Sequence, residues 1–96
     1  MKPSIALERN REAVRQIVAR YHAMNARVFG SVLKGMDRDG SDLDLLVDTT
    51  AETTLMDLGA IRLELRRLLG VEVDVLTPNA LPDSFRERVL REASPV

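Results

Sequence analysis

Residues 30–48 read GSVLKGMDRDGSDLDLLVD, and the fold turns on how this stretch divides. At its end Leu43, Leu45 and Val47 alternate with Asp42, Asp44, Leu46 and Asp48, the period-two pattern of a strand with one buried face. The spacing predicts a strand over 42–48. Asp42 and Asp44 then share a face, with Cα atoms roughly 6.5–7 Å apart. Two carboxylates that close repel each other, and nothing basic stands beside them in sequence. A divalent cation removes the conflict, because Mg²⁺ takes a few carboxylate oxygens together with water and substrate phosphates. At the front of the stretch, Gly30-Ser31 opens a short helical turn through Val32, Leu33 and Lys34 that stops at Gly35. Glycine admits a phosphate to the backbone, Ser31 offers N–H and hydroxyl donors, and a helix start favours an anion. Lys34 is a candidate to add positive charge there.

Working outward, residues 26–29 predict a short strand ending at Gly30. Before it, Val14, Ile17, Val18 and Tyr21 recur at helical spacing in a helix expected from Ser4, its cap, to about Met24, with Asn25 as its end. After the aspartates, a helix is expected from Thr54 to Leu69, with Leu58, Ile61, Leu65 and Leu68 as its stripe and Gly70 as C-cap. In the following VEVDVLTP, Val71, Val73 and Val75 alternate with Glu72, Asp74 and Leu76, so a further strand is predicted. Pro78 and Pro82 bracket a turn, and a last helix over 83–93 places Phe85, Val89 and Leu90 inward. This order implies one α/β (α+β) domain spanning residues 1–96: a small mixed sheet with helices on one face. Asp74 has the parity of Asp42 and Asp44. If its strand pairs beside 42–48, three carboxylates converge, and three acids can hold two metals about 3.5–4 Å apart for an in-line phosphoryl displacement.

The totals narrow the field. With 45% hydrophobic and 30% charged residues, 96 residues form one modest core. A net charge of −1 argues against general nucleic-acid binding, which needs a cationic surplus. The charge is nevertheless local: seven acids and one base, Arg38, lie between Asp37 and Asp57. Absence of cysteine excludes disulfides and thiolate zinc sites, and a single histidine, His22, removes most histidine-based metal chemistry. No apolar run approaches the ~18 residues of a membrane span, and the N-terminus lacks a signal-like apolar region, so a cytoplasmic location away from membranes is expected.

Gly30-Ser31, ten residues, then Asp42-Leu43-Asp44, with Asp74 in a later valine-rich strand, resembles the nucleotidyltransferase superfamily of the DNA polymerase β type. The small size is most similar to its minimal nucleotidyltransferase (MNT) members, and the likeness covers most of the chain. The resemblance implies that Gly30 and Ser31 bind nucleotide phosphates, with Lys34 the candidate cation beside them. It implies that Asp42 and Asp44 bind two Mg²⁺ ions, and that Asp74 completes the metal and catalytic set. Relatives often carry an arginine where Lys34 stands, and they commonly extend into a further strand beyond the position of Ser94-Pro95-Val96. Minimal nucleotidyltransferases commonly pair with HEPN-domain ribonucleases in toxin–antitoxin modules. The likeness therefore implies an antitoxin that uses ATP to adenylylate a tyrosine of such a toxin, in a hetero-oligomer. The rival reading is a non-catalytic antitoxin that covers the toxin's active site; transfer to a small antibiotic fits less well, since 96 residues leave no substrate-recognition half.

The other candidates read as structural. Asp48 and Glu72 are expected to be solvated at strand ends or edges, Asp37 and Asp39 to be turn residues, and Ser41 to cap the linker. Tyr21 belongs to the core stripe, His22 to the surface, and the arginines of 86–91 to a solvated face.

Overall fold

The computed structural model describes residues 1–96. Its elements run α1 (Pro3–Arg9), α2 (Arg11–Arg20), β1 (Ala23–Phe29), α3 (Gly30–Leu33), β2 (Leu43–Thr49), α4 (Leu55–Leu69), β3 (Val73–Leu76), a 3₁₀ turn (Pro78–Ala80), α5 (Arg86–Glu92) and β4 (Ser94–Pro95). The sheet order is β3-β2-β1-β4. β2 runs antiparallel to β1 and parallel to β3, so the sheet is mixed as expected. A parallel pair needs a crossover, and α4 supplies it.

Leu43, Leu45 and Val47 are fully buried and meet Leu7 of α1, Val14 and Val18 of α2 and Ile61 and Leu65 of α4 in the larger core. Each such buried side chain contributes ~1.5–3 kcal/mol. Leu46 lies on the face with the aspartates, yet it too is fully buried, in a smaller cluster with Phe29, Leu81 and Val89 under α5. Because Asp44 and Leu46 alternate to the same side, the sheet's second face is apolar at one end and acidic at the other.

Several expectations are corrected. The first helix is two: Asn10 has φ −135° and ψ 21°, and its side chain donates to the Ala6 carbonyl, replacing the continuing helix ladder. Lys2, not Ser4, occupies the N-cap. The helix also ends earlier, because His22 takes a positive φ and β1 starts at Ala23. Asn25, expected to end that helix, sits at φ 54° within β1 where the pairing slips between Met24 and Arg27, a bulge that Asn tolerates better than most residues. In α4, Thr54 and Asp57 form a reciprocal capping box and Gly70 closes the helix at φ 70°. Leu69 is buried in place of Leu68, and Leu90 of α5 is exposed. The chain's end is not strandless: Ser94–Pro95 pairs with β1, and the Val96 N–H donates to the Ala26 carbonyl.

Candidate active site

Three strand ends meet at one corner. In the antiparallel pair Phe29 lies opposite Asp44, and in the parallel pair Asp44 lies beside Asp74. Neighbouring strands are ~4.8 Å apart, so side chains in such register on one face are adjacent. Asp42 precedes β2 by one residue and is exposed, as is Asp74, while Asp44 between them is half-buried.

Gly30 follows Phe29 directly and adopts φ +72°, a left-handed conformation that disfavours side chains. A Cβ built there would stand 2.2 Å from Asp44 Oδ2 and 3.1 Å from its Cγ. Gly30 is therefore fixed twice, by its backbone and by the carboxylate lying against it. α3 then turns the chain away: Lys34 N–H donates to the Gly30 carbonyl and Met36 N–H to that of Ser31. The N–H groups that open such a turn have no carbonyl behind them in the turn itself. With only four residues, α3 contributes those local donors rather than a long-helix dipole.

The electrostatics agree with the placement. Burial pushes the Asp44 carboxyl up to about 6, and the nearby charges of Asp74 and Asp42, together with a hydrogen bond to Asp74, push the same way. The corner thus gathers negative charge that no cationic side chain offsets. It does not form a closed cage: no three acidic or imidazole side chains surround one point in metal-ligand geometry. The donor chemistry still fits Mg²⁺, which keeps several waters and commonly binds one or two carboxylates plus substrate phosphates. Asp44, shared between Asp42 on one side and Asp74 on the other, is the residue such ions would have in common.

Gly30, Ser31, Asp42, Asp44 and Asp74 are accordingly brought to one corner, on open surface. Lys34 is exposed and borders, with Gly30, a cleft of about 190 Å³ beneath α5. A larger hollow of about 600 Å³, bounded by Met1, Gly40, Arg66 and Val71, includes none of the three aspartates.

The remaining candidates are structural, and three differ from expectation. Asp37 is buried, accepting the Ser4 N–H at 2.8 Å, and this bond holds its carboxyl below the usual range. It ties the loop before β2 to the start of α1 across the fold, which no local signal reveals. Asp48 is paired with Arg27 and accepts from Asn25 Nδ2 at 2.8 Å. Arg86 is not a solvated cation: its guanidinium donates to the carbonyls of Pro78, Asn79 and Leu81 and pairs with Asp83, stapling the turn beneath α5. Tyr21 packs against the larger core, Ser41 Oγ accepts from the Arg38 N–H, Glu72 pairs with Arg66, and exposed His22 meets Asp57 at 3.2 Å.

A mixed four-stranded sheet whose strand ends bring a Gly-Ser turn against paired aspartates defines the nucleotidyltransferase class. The nucleotidyltransferase domain family matches residues 7–96, and the chain belongs to that family. It is similar to a solved minimal nucleotidyltransferase, 46% identical with TM-score 0.86, covering 97% of this chain and 95% of that one. A candidate protein adenylyltransferase of Methanocaldococcus jannaschii, MJ0435, is 36% identical over 80% of this chain and 83% of its own length. Protein adenylyltransferase MntA of Thermococcus cleftensis is 31% identical over 81% and 79%. The fold recurs in a toxin–antitoxin crystal structure with AMP-PNP, at TM-score 0.75 and 16% identity over 90% of this chain and 71% of that one; at that identity the likeness concerns the fold. No helix is long and apolar enough to cross a membrane.

Proposed function

We propose that this nucleotidyltransferase adenylylates a protein: it transfers AMP from ATP to a tyrosine hydroxyl of a HEPN-domain ribonuclease and thereby neutralises that toxin. The observation that carries the reading is Asp44, lodged between the Gly30 corner and Asp74. The naming of the archaeal relatives as protein adenylyltransferases supports a protein acceptor.

In this reading Gly30 and Ser31 present the phosphates to the carboxylates, Lys34 adds positive charge beside them, and Asp42, Asp44 and Asp74 would hold two Mg²⁺ ions. Bound there, the ions would lower the acceptor's pKa and balance charge on the transferring group. The acceptor oxygen forms a bond to the α-phosphorus while the bond to the bridging oxygen breaks and pyrophosphate departs with the electron pair. The acceptor proton passes to Asp74, one of the two exposed carboxylates of the three-strand corner. The open surface suits an acceptor delivered by another protein, which excludes water when it docks.

The test is intact mass of the protein encoded by the neighbouring gene, after incubation with this protein, ATP and Mg²⁺. Stepwise gain of adenylate is expected with wild type and none with Asp44→Ala. An unchanged mass in a verified complex refutes protein adenylylation. Leu55 and Met56 are 87% and 86% exposed, which favours a second reading in which the protein masks the toxin by contact alone. Protection of cells by Asp42→Asn and Asp44→Asn variants separates the two: retained protection means masking, and lost protection means chemistry.

A further inference from the structure

The cleft beneath α5 opens from the Gly30 corner and, beyond Gly30 and Lys34, is lined by residues to which the reaction gives no role. Its walls are the apolar side chains of Phe29, Leu33, Phe85 and Val89, and its rim carries Lys34 and Arg88. Of the ten ion pairs in the fold, none involves either cation. The other basic residues without such a partner (Lys2, Arg9, Arg38, Arg67 and Arg91) do not border this cleft. Glu92, one turn along α5 from Arg88, also borders it but is not ion-paired with Arg88. The Arg88 guanidinium lies over the Phe85 ring, 6.0 Å from its centroid, so its plane has an aromatic support.

These features define a site for part of an anionic ligand. At about 190 Å³ the space is smaller than the ~300–1,000 Å³ pockets that enclose whole ligands. Two cations without an ion-pair partner on one rim call for negative charge. The cleft shares Gly30 with the aspartate corner, so one extended polyanion can span both. Arginine differs from lysine in offering a planar fork that takes two phosphate oxygens together.

We propose that Arg88, acting across the cleft from Lys34, binds the terminal phosphates of the nucleoside triphosphate, the part that leaves as pyrophosphate. The inference rests on the nucleotidyl-transfer reading. It makes Arg88 a substrate-binding residue contributed by α5, forty-four positions after Asp44. As the bond between the α-phosphorus and its bridging oxygen breaks, the departing pyrophosphate gains negative charge, and the Arg88–Lys34 pair is placed to balance it.

Calorimetric titration of Arg88→Gln, Arg88→Lys and the same-helix control Arg91→Gln tests this with MgATP, AMP and inorganic tripolyphosphate as probes. Loss of a charge-assisted fork predicts that Arg88→Gln binds MgATP and tripolyphosphate about tenfold or more weakly, with AMP changed by less than about twofold. Arg88→Lys restores part of the loss, and Arg91→Gln behaves as wild type. Arg88 is exposed, so melting curves of all three variants should overlay that of wild type. Unchanged tripolyphosphate binding by Arg88→Gln overturns the assignment, and so does an equal loss in Arg91→Gln, which would signify diffuse attraction. If those results accompany normal MgATP binding by wild type and an inactive Asp44→Ala, nucleotidyl transfer stands and Arg88 alone is removed from it. A wild-type protein that binds none of the probes overturns both.

Discussion

Asp44→Asn should make the metal-free protein more stable while abolishing its chemistry, and the gain should depend on pH. Asp44 has its pKa raised from 3.8 to about 6 in the fold, chiefly by burial and then by the charges of Asp74 and Asp42. A carboxyl raised in this way favours the folded state least when ionised. Its stabilising influence is complete below pH ~4 and is lost as pH rises through about 6. At 1.36 kcal/mol per pH unit the full displacement is worth about 3 kcal/mol, and solvent screening of a half-exposed group reduces this to ~1–2 kcal/mol. In a domain of this size that is about 4–15 °C in melting temperature. Thermal melts followed by circular dichroism in EDTA should show Asp44→Asn above wild type by that margin at pH 7.5. At pH 4.5, where Asp44 is protonated in the fold but largely ionised in the unfolded chain, the difference should shrink to about a third. Magnesium should then raise wild type selectively, because a ligand of the folded state stabilises it by mass action. A variant less stable than wild type at pH 7.5 in EDTA, or a margin equal at both pH values, would refute the claim that unbalanced carboxylates crowd this corner.

Gly30→Ala should lose nucleotidyl transfer and ~1–2 kcal/mol of stability, since the added Cβ meets Asp44 Oδ2 at 2.2 Å on a backbone held at φ +72°; rate assays beside denaturant curves measure both. Asp37→Asn keeps an acceptor but loses the charge that strengthens its bond to the Ser4 N–H, so about 1 kcal/mol should be lost at pH 7. Because the fold lowers the Asp37 pKa, that contribution is present above pH ~4 and fades as pH falls through the folded value, so the wild-type advantage should shrink on acidification. Leu46→Ala should cost ~2–5 kcal/mol by urea unfolding, because the residue is fully buried under α5 despite standing on the aspartate face.

What was legible in the sequence follows a physical division. Period-two alternation placed β2 and β3, and helical spacing with Thr54 and Gly70 bounded α4, because each signal is local and each residue's preference agrees with its place. Asp42, Asp44 and Asp74 were readable because strand parity survives whatever the strands pack against. Parity also told half of the truth about Leu46: it put the residue on the acidic face but could not show that α5 returns to bury it. The misplaced boundaries between Asn10 and Asn25 have a similar origin. There the apolar stripe continues through residues whose side chains or left-handed backbone interrupt the helix, and periodicity does not register such interruptions. Asp37 and Arg86 were misread for a different reason. Their partners are the Ser4 N–H, thirty-three positions away, and a set of carbonyls on an irregular turn, and backbone groups leave no trace in residue types.

That division bears on the site itself. The carboxylates sit on regular strands, so sequence parity suffices to bring them together, whereas cations must reach them from irregular or distant elements. Lys34 lies just past α3, and Arg88 sits on α5 two positions after Arg86, whose guanidinium staples the preceding turn beneath that helix. The acidic half of the corner is therefore written into the strands, and its basic half depends on how α5 closes over Leu46. A substitution that loosens the Arg86 staple, such as Arg86→Ala, should weaken MgATP binding through Arg88 while leaving the Asp44 pH signature of the melting curve intact. A lost pH signature in that variant would show instead that α5 supports the aspartate corner directly.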